Sequence, residues 1–457
     1  MKRAAALALL STLALSGCAS YRLIHDGQIN AKPAERVKAK LVAARGLTFR
    51  QPVPVEAVTV AEARTMLERE LHAQYNSQEL ATLSRIYAML GLVPAGTDLE
   101  HAYLDLYSAQ IAGFYDPIER RMVLVEDVVT PDITTRILEG VMRRDFAGEL
   151  VLAHELTHAL QDQYYGLDFG RNNLGEDDAQ LARHAVYEGD ATLAGFAAVL
   201  GNLKPGTAVS LAHKLESVSA TMARAYPDIP AAVRETVVFQ YVAGVNFITW
   251  AYQRAGWEGV NALLAHPPSS TEQVLHPDKY FTHAEYPLSV HVAGLSPYVQ
   301  EGWQVAENAT VGEFMIRVLG EQFLPEARAR SVAAGWDGDR LVALTHGDDI
   351  ALAWMTAWDN EKEAAEFFEG YAAILAAKHP GGAPAPAAAS APDSDAVVIA
   401  STGAAPYRLE RRGAMVLSVE GPLDADLSRA TERVWKHTTS QRTTPWVPID
   451  LARTGSE

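Results

Sequence analysis

The sequence predicts an α+β protein, with a mostly helical domain that carries a small β-hairpin or sheet, and a small two-layer α+β domain at the C-terminus. Apolar residues recur at helical spacing through most of residues 60–264, where one β-rich stretch interrupts them at 110–125. After about residue 330, short runs typical of strands alternate with helical segments. The 457 residues are enough for two or three domains of about 100–200 residues each.

The first residues have the composition of an export signal. A basic start, Met1-Lys2-Arg3, precedes an apolar run from Ala4 to Leu15 that is too short to span a bilayer comfortably. The run closes with Leu15-Ser16-Gly17-Cys18, which resembles the bacterial lipobox, whose cysteine is lipidated and becomes the mature N-terminus. An ordinary signal peptide that is cleaved elsewhere is the alternative.

Cys18 is the only cysteine of the chain, so no internal disulfide forms and lipidation gives the thiol a role. We therefore expect a lipoprotein signal peptide over 1–17, lipid on Cys18 and a lipid-anchored tether over 18–55. Ala19 follows the cysteine, and in a Gram-negative lipoprotein the lack of aspartate there implies sorting to the outer membrane. The expected location is the bacterial cell envelope, on the outer membrane and facing the periplasm.

Helical spacing predicts a series of helices before the centre of the chain. They are expected over 34–44 within the tether, from Val60 onwards, and over 77–90, 98–107 and 132–143. Two β-rich runs, 110–115 and 121–125, flank the turn Asp116-Pro117-Ile118-Glu119 and predict a hairpin. The next helix is expected to begin at Asp145, its N-cap, and to end near Gly166.

That helix carries His154-Glu155-Leu156-Thr157-His158. Positions i and i+4 lie one turn apart on one side of a helix, so His154 and His158 can bind one ion. The rest of the helix is apolar nearly all round, which predicts burial, and a zinc ion would give both buried imidazoles a partner. Glu155 is rotated by about 100° from His154, where a base for a metal-bound water is needed.

A catalytic zinc site needs three protein ligands and one open position. The pattern HExxHxxGxxH would supply a third histidine, but Gln161 and Tyr164 stand where it needs glycine and histidine. That class of site is therefore excluded.

The favoured third ligand is Glu188, because it lies among apolar neighbours on the next predicted helix, 178–200. A helical hairpin of this length can bring its side chain back over the histidine pair. Asp190 and His184 on the same helix are the rival third ligands.

The HExxH segment followed by a helical glutamate resembles the gluzincin class of zinc peptidases, to which thermolysin belongs. The resemblance implies a zincin-like metallopeptidase domain, expected over 56–330. It also implies His154, His158 and Glu188 as zinc ligands and Glu155 as the general base.

The chain departs from thermolysin-like sequences at one position. Those sequences carry aspartate four residues after the glutamate ligand, where it orients a histidine, and this chain has Thr192 there. Asp190 or Asp162 could take that supporting part, although neither matches by position.

The chain also resembles a group of poorly characterised bacterial lipoproteins over most of residues 60–375. The resemblance depends on five segments taken together: AGFYDP from Ala112, HELTHALQDQ from His154, EGDA from Glu188, STEQVLHP from Ser270 and GWDGDR from Gly335. It carries little information about a substrate.

The implied reaction needs more than a base. Zinc lowers the pKa of bound water toward about 7 and polarises a carbonyl, while Glu155 moves the proton to the leaving amine. A donor must then stabilise the oxyanion. His276 is the candidate, with Tyr115 and Tyr187 behind it. The alternatives are that His276 is a loop histidine without a catalytic part and that Tyr115 is a core aromatic.

The C-terminal domain is expected over 331–450 as two strand–strand–helix units in tandem. The predicted strands are 341–345, 350–357, 407–410 and 414–420, and the helices are 361–377 and 425–436. The Pro/Ala-rich stretch 379–395 predicts a mobile loop between the two units.

The net charge of −17 argues against nucleic acid as a partner. The first hypothesis is a lipid-anchored zinc metallopeptidase that acts on a peptide or protein substrate. The second is a non-catalytic, zinc-containing binding lipoprotein, and the third is a hydrolase of a non-peptide amide. Retention of Glu155 favours catalysis, because a structural zinc site needs no base.

Overall fold

The computed structural model describes residues 21–110, 112–126, 144–167, 177–201, 203–215, 218–379, 385–386, 396–401, 406–425 and 427–442. The expected signal peptide, Cys18, the helix predicted over 132–143 and most of the Pro/Ala-rich stretch lie outside these residues. Within the described part, none of the helices has the length and apolar character needed to cross a membrane.

The described helices up to the kinked central one are α1 (Ala31–Arg45), α2 (Val60–Gln74), α3 (Ser77–Leu90), α4 (Leu99–Gln110), α5 (Phe146–Tyr165), α6 (Asp177–Leu200), α7 (Pro205–Leu215), α8 (Val218–Ala225) and α9 (Ala231–Ala265). Those that follow are α10 (Thr271–Leu275), α11 (Asp278–Phe281), α12 (Ser296–Gln300), α13 (Gly312–Glu321), α14 (Glu326–Ala333), α15 (Glu361–Lys378) and α16 (Ser428–His437).

The described strands form four sheets. They are β1 (Ile24–His25), β2 (Gln28–Ile29), β3 (Val55–Val58), β4 (Gly113–Asp116), β5 (Arg121–Val125), β6 (Leu288–His291), β7 (Gln304–Ala309), β8 (Trp336–His346), β9 (Asp349–Trp358), β10 (Ala385–Pro386), β11 (Ala396–Ser401), β12 (Tyr407–Arg412), β13 (Met415–Glu420) and β14 (Thr439–Arg442). The α+β class is confirmed, and so are most of the expected helices and the 110–125 hairpin.

The region expected to be a tether belongs to the fold over its described part, 21–55, which corrects the sequence prediction. Val37, Leu41 and Arg45 stand at i, i+4 and i+8 on α1, and all three are buried. They pack against α5 and α6. Strand β3 then pairs in parallel with β5, so the hairpin becomes a three-stranded sheet of order β3-β5-β4.

Helix α6 is the centre of the helical part, because α1, α5 and α9 all pack against it. Its contact with α9 is backbone to backbone. A methyl group on Gly189 would collide with the Gly244 carbonyl group, and one on Gly244 would collide with Ala185. These two glycines therefore allow α9 to approach the segment that holds Glu188.

The sequence predicts separate helices over 230–254 and 257–264, and this break is confirmed within α9, where two helical segments meet at a kink. The kink lies at Ala255 and Gly256, where φ of Gly256 is 58°. Glycine adopts this left-handed region without steric cost, so the chain turns there while the helical repeat continues on both sides.

The C-terminal sheet has the order β10-β11-β12-β13-β9-β8-β7. The two expected strand–strand–helix units meet where β13 pairs with β9 in antiparallel fashion. Helix α15 covers one face and α16 the other, so this part has three layers where the sequence predicted two. Both faces of β8 and β9 carry apolar side chains, which is why both need a cover.

The expected boundary at 330 does not separate two cores. Strand β7, which precedes it, pairs with β8, and one hydrophobic cluster extends from Ile86 to Val416. The GWDGDR segment stabilises this junction. The Asp339 carboxylate accepts bonds from the Val311 and Gly312 backbone N–H groups at 2.8 Å and from two tryptophan indoles. That motif therefore has a structural role.

Candidate metal centre

Three side chains converge between α5 and α6. The Nε2 atoms of His154 and His158 lie 3.3 Å apart. The Glu188 carboxylate lies 3.1 Å from His154 Nε2 and 3.5 Å from His158 Nε2. Asp145 caps α5 by accepting a bond from the Gly148 N–H at 3.0 Å, as expected. The sequence-predicted ligand set is thus brought together.

The geometry is compatible with one shared metal ion. One ligand atom of each side chain lies within 4.8 Å of the other two. The two Nε2 atoms, 3.3 Å apart, have the separation expected of neighbouring tetrahedral ligands that bind zinc at ~2.0–2.1 Å. Two imidazoles and one carboxylate are a donor set that catalytic zinc uses. Within the described residues, this is the group of histidines, cysteines and acids that is close enough to share an ion.

The two histidines and Glu188 stabilise each other's charged forms. Burial lowers the pKa of His158, but the Glu188 carboxylate beside it outweighs burial and raises that pKa to about 9. Burial likewise raises the pKa of Glu188, and the two imidazoles outweigh it and lower that pKa well below its usual value. A metal ion would replace the shared proton as the counter-charge.

The two rival ligands lie elsewhere. The Asp190 carboxylate faces away from the histidine pair and accepts a bond from Arg45 Nε at 2.9 Å, with both side chains buried. His184 is one helical turn before Glu188 and lines the neighbouring cavity. Neither belongs to the cluster that could share an ion.

Asp190 instead supports His158 through Gln161. His158 Nδ1 lies 2.9 Å from Gln161 Oε1, and the amide Nε2 of Gln161 donates to Asp190 Oδ2 at 2.9 Å and to the Tyr187 carbonyl at 3.0 Å. The amide orientation places the Nδ1 proton on His158 and leaves Nε2 for the metal. These hydrogen bonds give His158 a supporting partner although position 192 is threonine.

We expect Gln161→Met to weaken zinc binding by ~10–100-fold, the usual effect of removing a partner of a ligating histidine. Methionine keeps the length of the side chain but lacks the amide oxygen that accepts the hydrogen bond from the His158 Nδ1–H group. Competition with a chromophoric zinc chelator measures the affinity. Gln163→Met, two residues along the same helix, is the matched control, and equal affinity of the two variants would remove Gln161 from the support of His158.

Glu155 stands beside the ligands and lines the same cavity. Burial raises its pKa, while His154, His158 and the Tyr115 backbone N–H act in the opposite direction. Its carboxylate is not part of the cluster that could share an ion. It is therefore placed to exchange a proton with a molecule in the cavity.

Tyr241 on α9 is a site residue that the sequence did not single out. Its ring stacks on His154 with centroids 5.9 Å apart. Burial and then the Glu188 carboxylate raise the pKa of Tyr241 well above its usual value, so the hydroxyl keeps its proton. The sequence offered one signal for this residue. Gly244 lies one turn after Tyr241, and its close contact with Gly189 brings this part of α9 next to the segment that holds Glu188.

His276, the first oxyanion donor predicted from the sequence, bonds to an acid outside the described lining of the metal cavity. His276 Nε2 lies 2.9 Å from Glu313 Oε1, and the described lining of the metal cavity does not include His276. The segment before His276 is anchored on α6, where the Thr271 N–H donates to the Asp178 carboxylate. Asp178 lies ten residues before Glu188, which is ~15 Å along the helix, so this anchor is far from the metal centre.

The two tyrosines are also engaged. The Tyr115 hydroxyl donates to Asp162 Oδ2 at 2.8 Å, although the residue lines the metal cavity. The Tyr187 side chain lines the neighbouring cavity. Asp162 thus holds strand β4 against α5. Among the described residues, no hydrogen bond joins Asp162 to His154 or His158.

The metal cavity has a volume of about 580 Å³. One wall is β4 with the residue before it, Ala112 to Tyr115. Strand β4 is an edge strand of its sheet, since it pairs with β5 alone. The cavity therefore places a sheet edge beside the metal ligands, and the Tyr115 backbone N–H of this strand bonds to the Glu155 carboxylate.

Comparison with known proteins assigns little of this. Residues 300–431 match the family described as a domain of unknown function, DUF8575. Comparison with the curated proteins and with the solved structures gives no significant match. The matched segment contains all seven described strands of the C-terminal sheet and does not include the metal centre.

Proposed function

We propose that this protein is a zinc-dependent peptidase in which His154, His158 and Glu188 hold the metal and Glu155 is the general base. One observation carries the proposal: three ligand atoms converge at metal-binding distance with a carboxylate that is not a ligand beside them. Zinc, when bound, would polarise a substrate carbonyl and lower the pKa of a water ligand.

Other side chains in and around the cavity would transfer the proton, stabilise the oxyanion and orient His158. The Glu155 carboxylate accepts a proton from water and returns it to the leaving amine. The Tyr241 hydroxyl, which keeps its proton, replaces His276 as the candidate donor to the oxyanion. Gln161 and Asp190 hold His158 in the required tautomer.

The edge of β4 supports a peptide as the substrate. An extended peptide can add to an exposed strand edge through main-chain hydrogen bonds. Here that edge forms a wall of the metal cavity, so a paired peptide would pass the ligands. The cavity walls also include apolar side chains for alternate residues of such a peptide, among them Leu150, Val151, Phe196 and Val238.

The experiment that tests the function is hydrolysis of an unbiased peptide library by protein that lacks residues 1–18. We expect cleavage with zinc, loss of cleavage with a chelator, and recovery when zinc is restored. A non-catalytic binding lipoprotein would cleave no peptide under any of these conditions.

We also propose that the protein is anchored in the cell envelope by lipid on Cys18, on the outer membrane and facing the periplasm. The lipobox-like Leu15-Ser16-Gly17-Cys18 and the lack of another cysteine support this. We expect Cys18→Ser to move the protein from the membrane fraction to the soluble fraction. Unchanged fractionation, or a mature N-terminus at another residue, would contradict lipidation.

A further inference from the structure

Two further cavities lie next to the metal cavity along α6. The first neighbour, of about 400 Å³, shares Glu70, Tyr107 and Glu188 with it. The next, of about 210 Å³, shares Tyr75, Tyr87, Tyr103 and His184 with the second. These three neighbouring cavities, together named the α6 channel, lie between α2, α3 and α4 on one side and α6 and α9 on the other.

The length of the α6 channel can be read from the helix it follows. Phe196 lines it beyond the metal ligands, and Asp177 lines its opposite end. Eleven residues separate Glu188 from Asp177, which is ~16 Å at 1.5 Å per residue. An extended peptide rises ~3.3 Å per residue, so about five residues would span this distance.

The walls of the α6 channel suit an apolar chain. Its lining includes Tyr75, Tyr87, Tyr103 and Tyr107 together with leucines of α2, α3 and α4. Tyr107 is 41% exposed, yet burial raises its pKa to about 12. The ring is accessible to a ligand, and burying apolar surface against it would be favourable.

The charge of the α6 channel is strongly one-sided. Its described lining contains six acids and neither lysine nor arginine. Glu188 and Glu155 belong to the metal centre, whereas Asp177 and Glu307 lie together at the far end. Asp177 lines this end of the channel, and burial, followed by Glu307, raises its pKa to about 7 against the opposing charge of Arg340.

We propose that the α6 channel binds an extended apolar peptide segment that carries a cationic group about five residues from the bond held at the metal centre. The cation is either the amino terminus of the substrate or a lysine or arginine side chain, since both are single positive charges that Asp177 and Glu307 would neutralise. The inference rests on the proposed peptidase function and adds its substrate class.

The test uses zinc-loaded protein at pH 8, where Asp177 is ionised. The probes are nonapeptides of alanine, leucine and phenylalanine with a free or an acetylated amino terminus, and blocked peptides with one lysine or acetyl-lysine at successive positions. Mass spectrometry locates the cut. We expect the cut about five residues from the charge and a rate at least ~10-fold above that of the acetylated partner, the size of effect that a close charge pair can reach.

The double variant Asp177→Asn/Glu307→Gln should reduce this rate ratio to about one, judged against the ~10-fold value expected of the charge pair. Asp349→Asn/Glu301→Gln makes the same two changes at exposed positions and should keep the parent ratio. Cuts at random distances from the charge, or a ratio that the double variant retains, would overturn the proposal even while peptides are hydrolysed.

Failure of the peptidase function is recognised separately. If zinc-loaded parent protein cleaves none of these peptides, binding of dye-labelled versions is measured by fluorescence anisotropy. Tighter binding of the charged peptides, lost in the double variant, would support the α6 channel without catalysis. Equal affinity for charged and acetylated peptides would overturn it.

Discussion

Replacing Glu155 by glutamine is expected to lower peptide hydrolysis by at least the ~10²–10⁴-fold ascribed to general acid–base catalysis. Glutamine has nearly the volume of glutamate but cannot accept the proton. Since the Glu155 carboxylate is not part of the ligand cluster, the variant should keep its zinc and its melting temperature. It should also bind substrate without turnover, because the cavity walls are unchanged.

Metal content, melting temperature and hydrolysis are to be measured on the same preparations of parent and variant. Glu35→Gln makes the same change at an exposed position of α1 and is the control. Equal hydrolysis by Glu155→Gln and the parent would exclude Glu155 as the base. Activity in neither protein would favour the binding lipoprotein.

Removal of Glu188 is expected to have the largest effect on the metal. Glu188→Ala should reduce zinc from one ion per chain to a small fraction after dialysis, because two histidines alone remain of the three ligands. Glu188→Gln, which keeps the shape of the side chain and removes its charge, should lose zinc as well. Hydrolysis should fall in parallel with the metal content.

Glu35→Ala is the matched control for alanine, and atomic absorption on equal protein concentrations gives the metal content. Circular dichroism checks that α6 remains folded in each variant. If Glu188→Ala retained a full complement of zinc, Asp190 or His184 would become the third ligand. The contacts of Asp190 with Arg45 and Gln161 predict that this does not occur.

Local patterns were sufficient for the elements of the fold. The capping residue Asp145 and the apolar periodicity predicted α5 within a residue or two. The helix Ser77–Leu90 was also predicted with its observed bounds, and Gly91 marks its C-terminal end. The i,i+4 spacing of His154 and His158 determines their common face, whatever packs against it. These features depend on interactions within one helix, which a sequence displays directly.

The choice among Glu188, Asp190 and His184 depended on tertiary structure. His184 and Glu188 share one face of α6, so helical geometry alone does not separate them. The packing of α5, α1 and α9 against α6 determines which acid reaches the histidines. Glu188 lies against His154, whereas Asp190 pairs with Arg45. A buried arginine on the apolar face of α1 was the available signal that a distant acid had to meet it.

The sequence by itself determined which helix carries the metal-binding histidines and which residue beside them can act as a base, because both follow from the spacing within one helix. Tertiary structure alone decided that Tyr241 belongs to the site, that His276 does not, and that the presumed tether supplies Arg45. Each of these depends on contacts between segments tens to hundreds of residues apart. The geometry of these contacts is set by how whole helix faces pack against each other. A pattern within one helix carries no information about which distant segment packs against it.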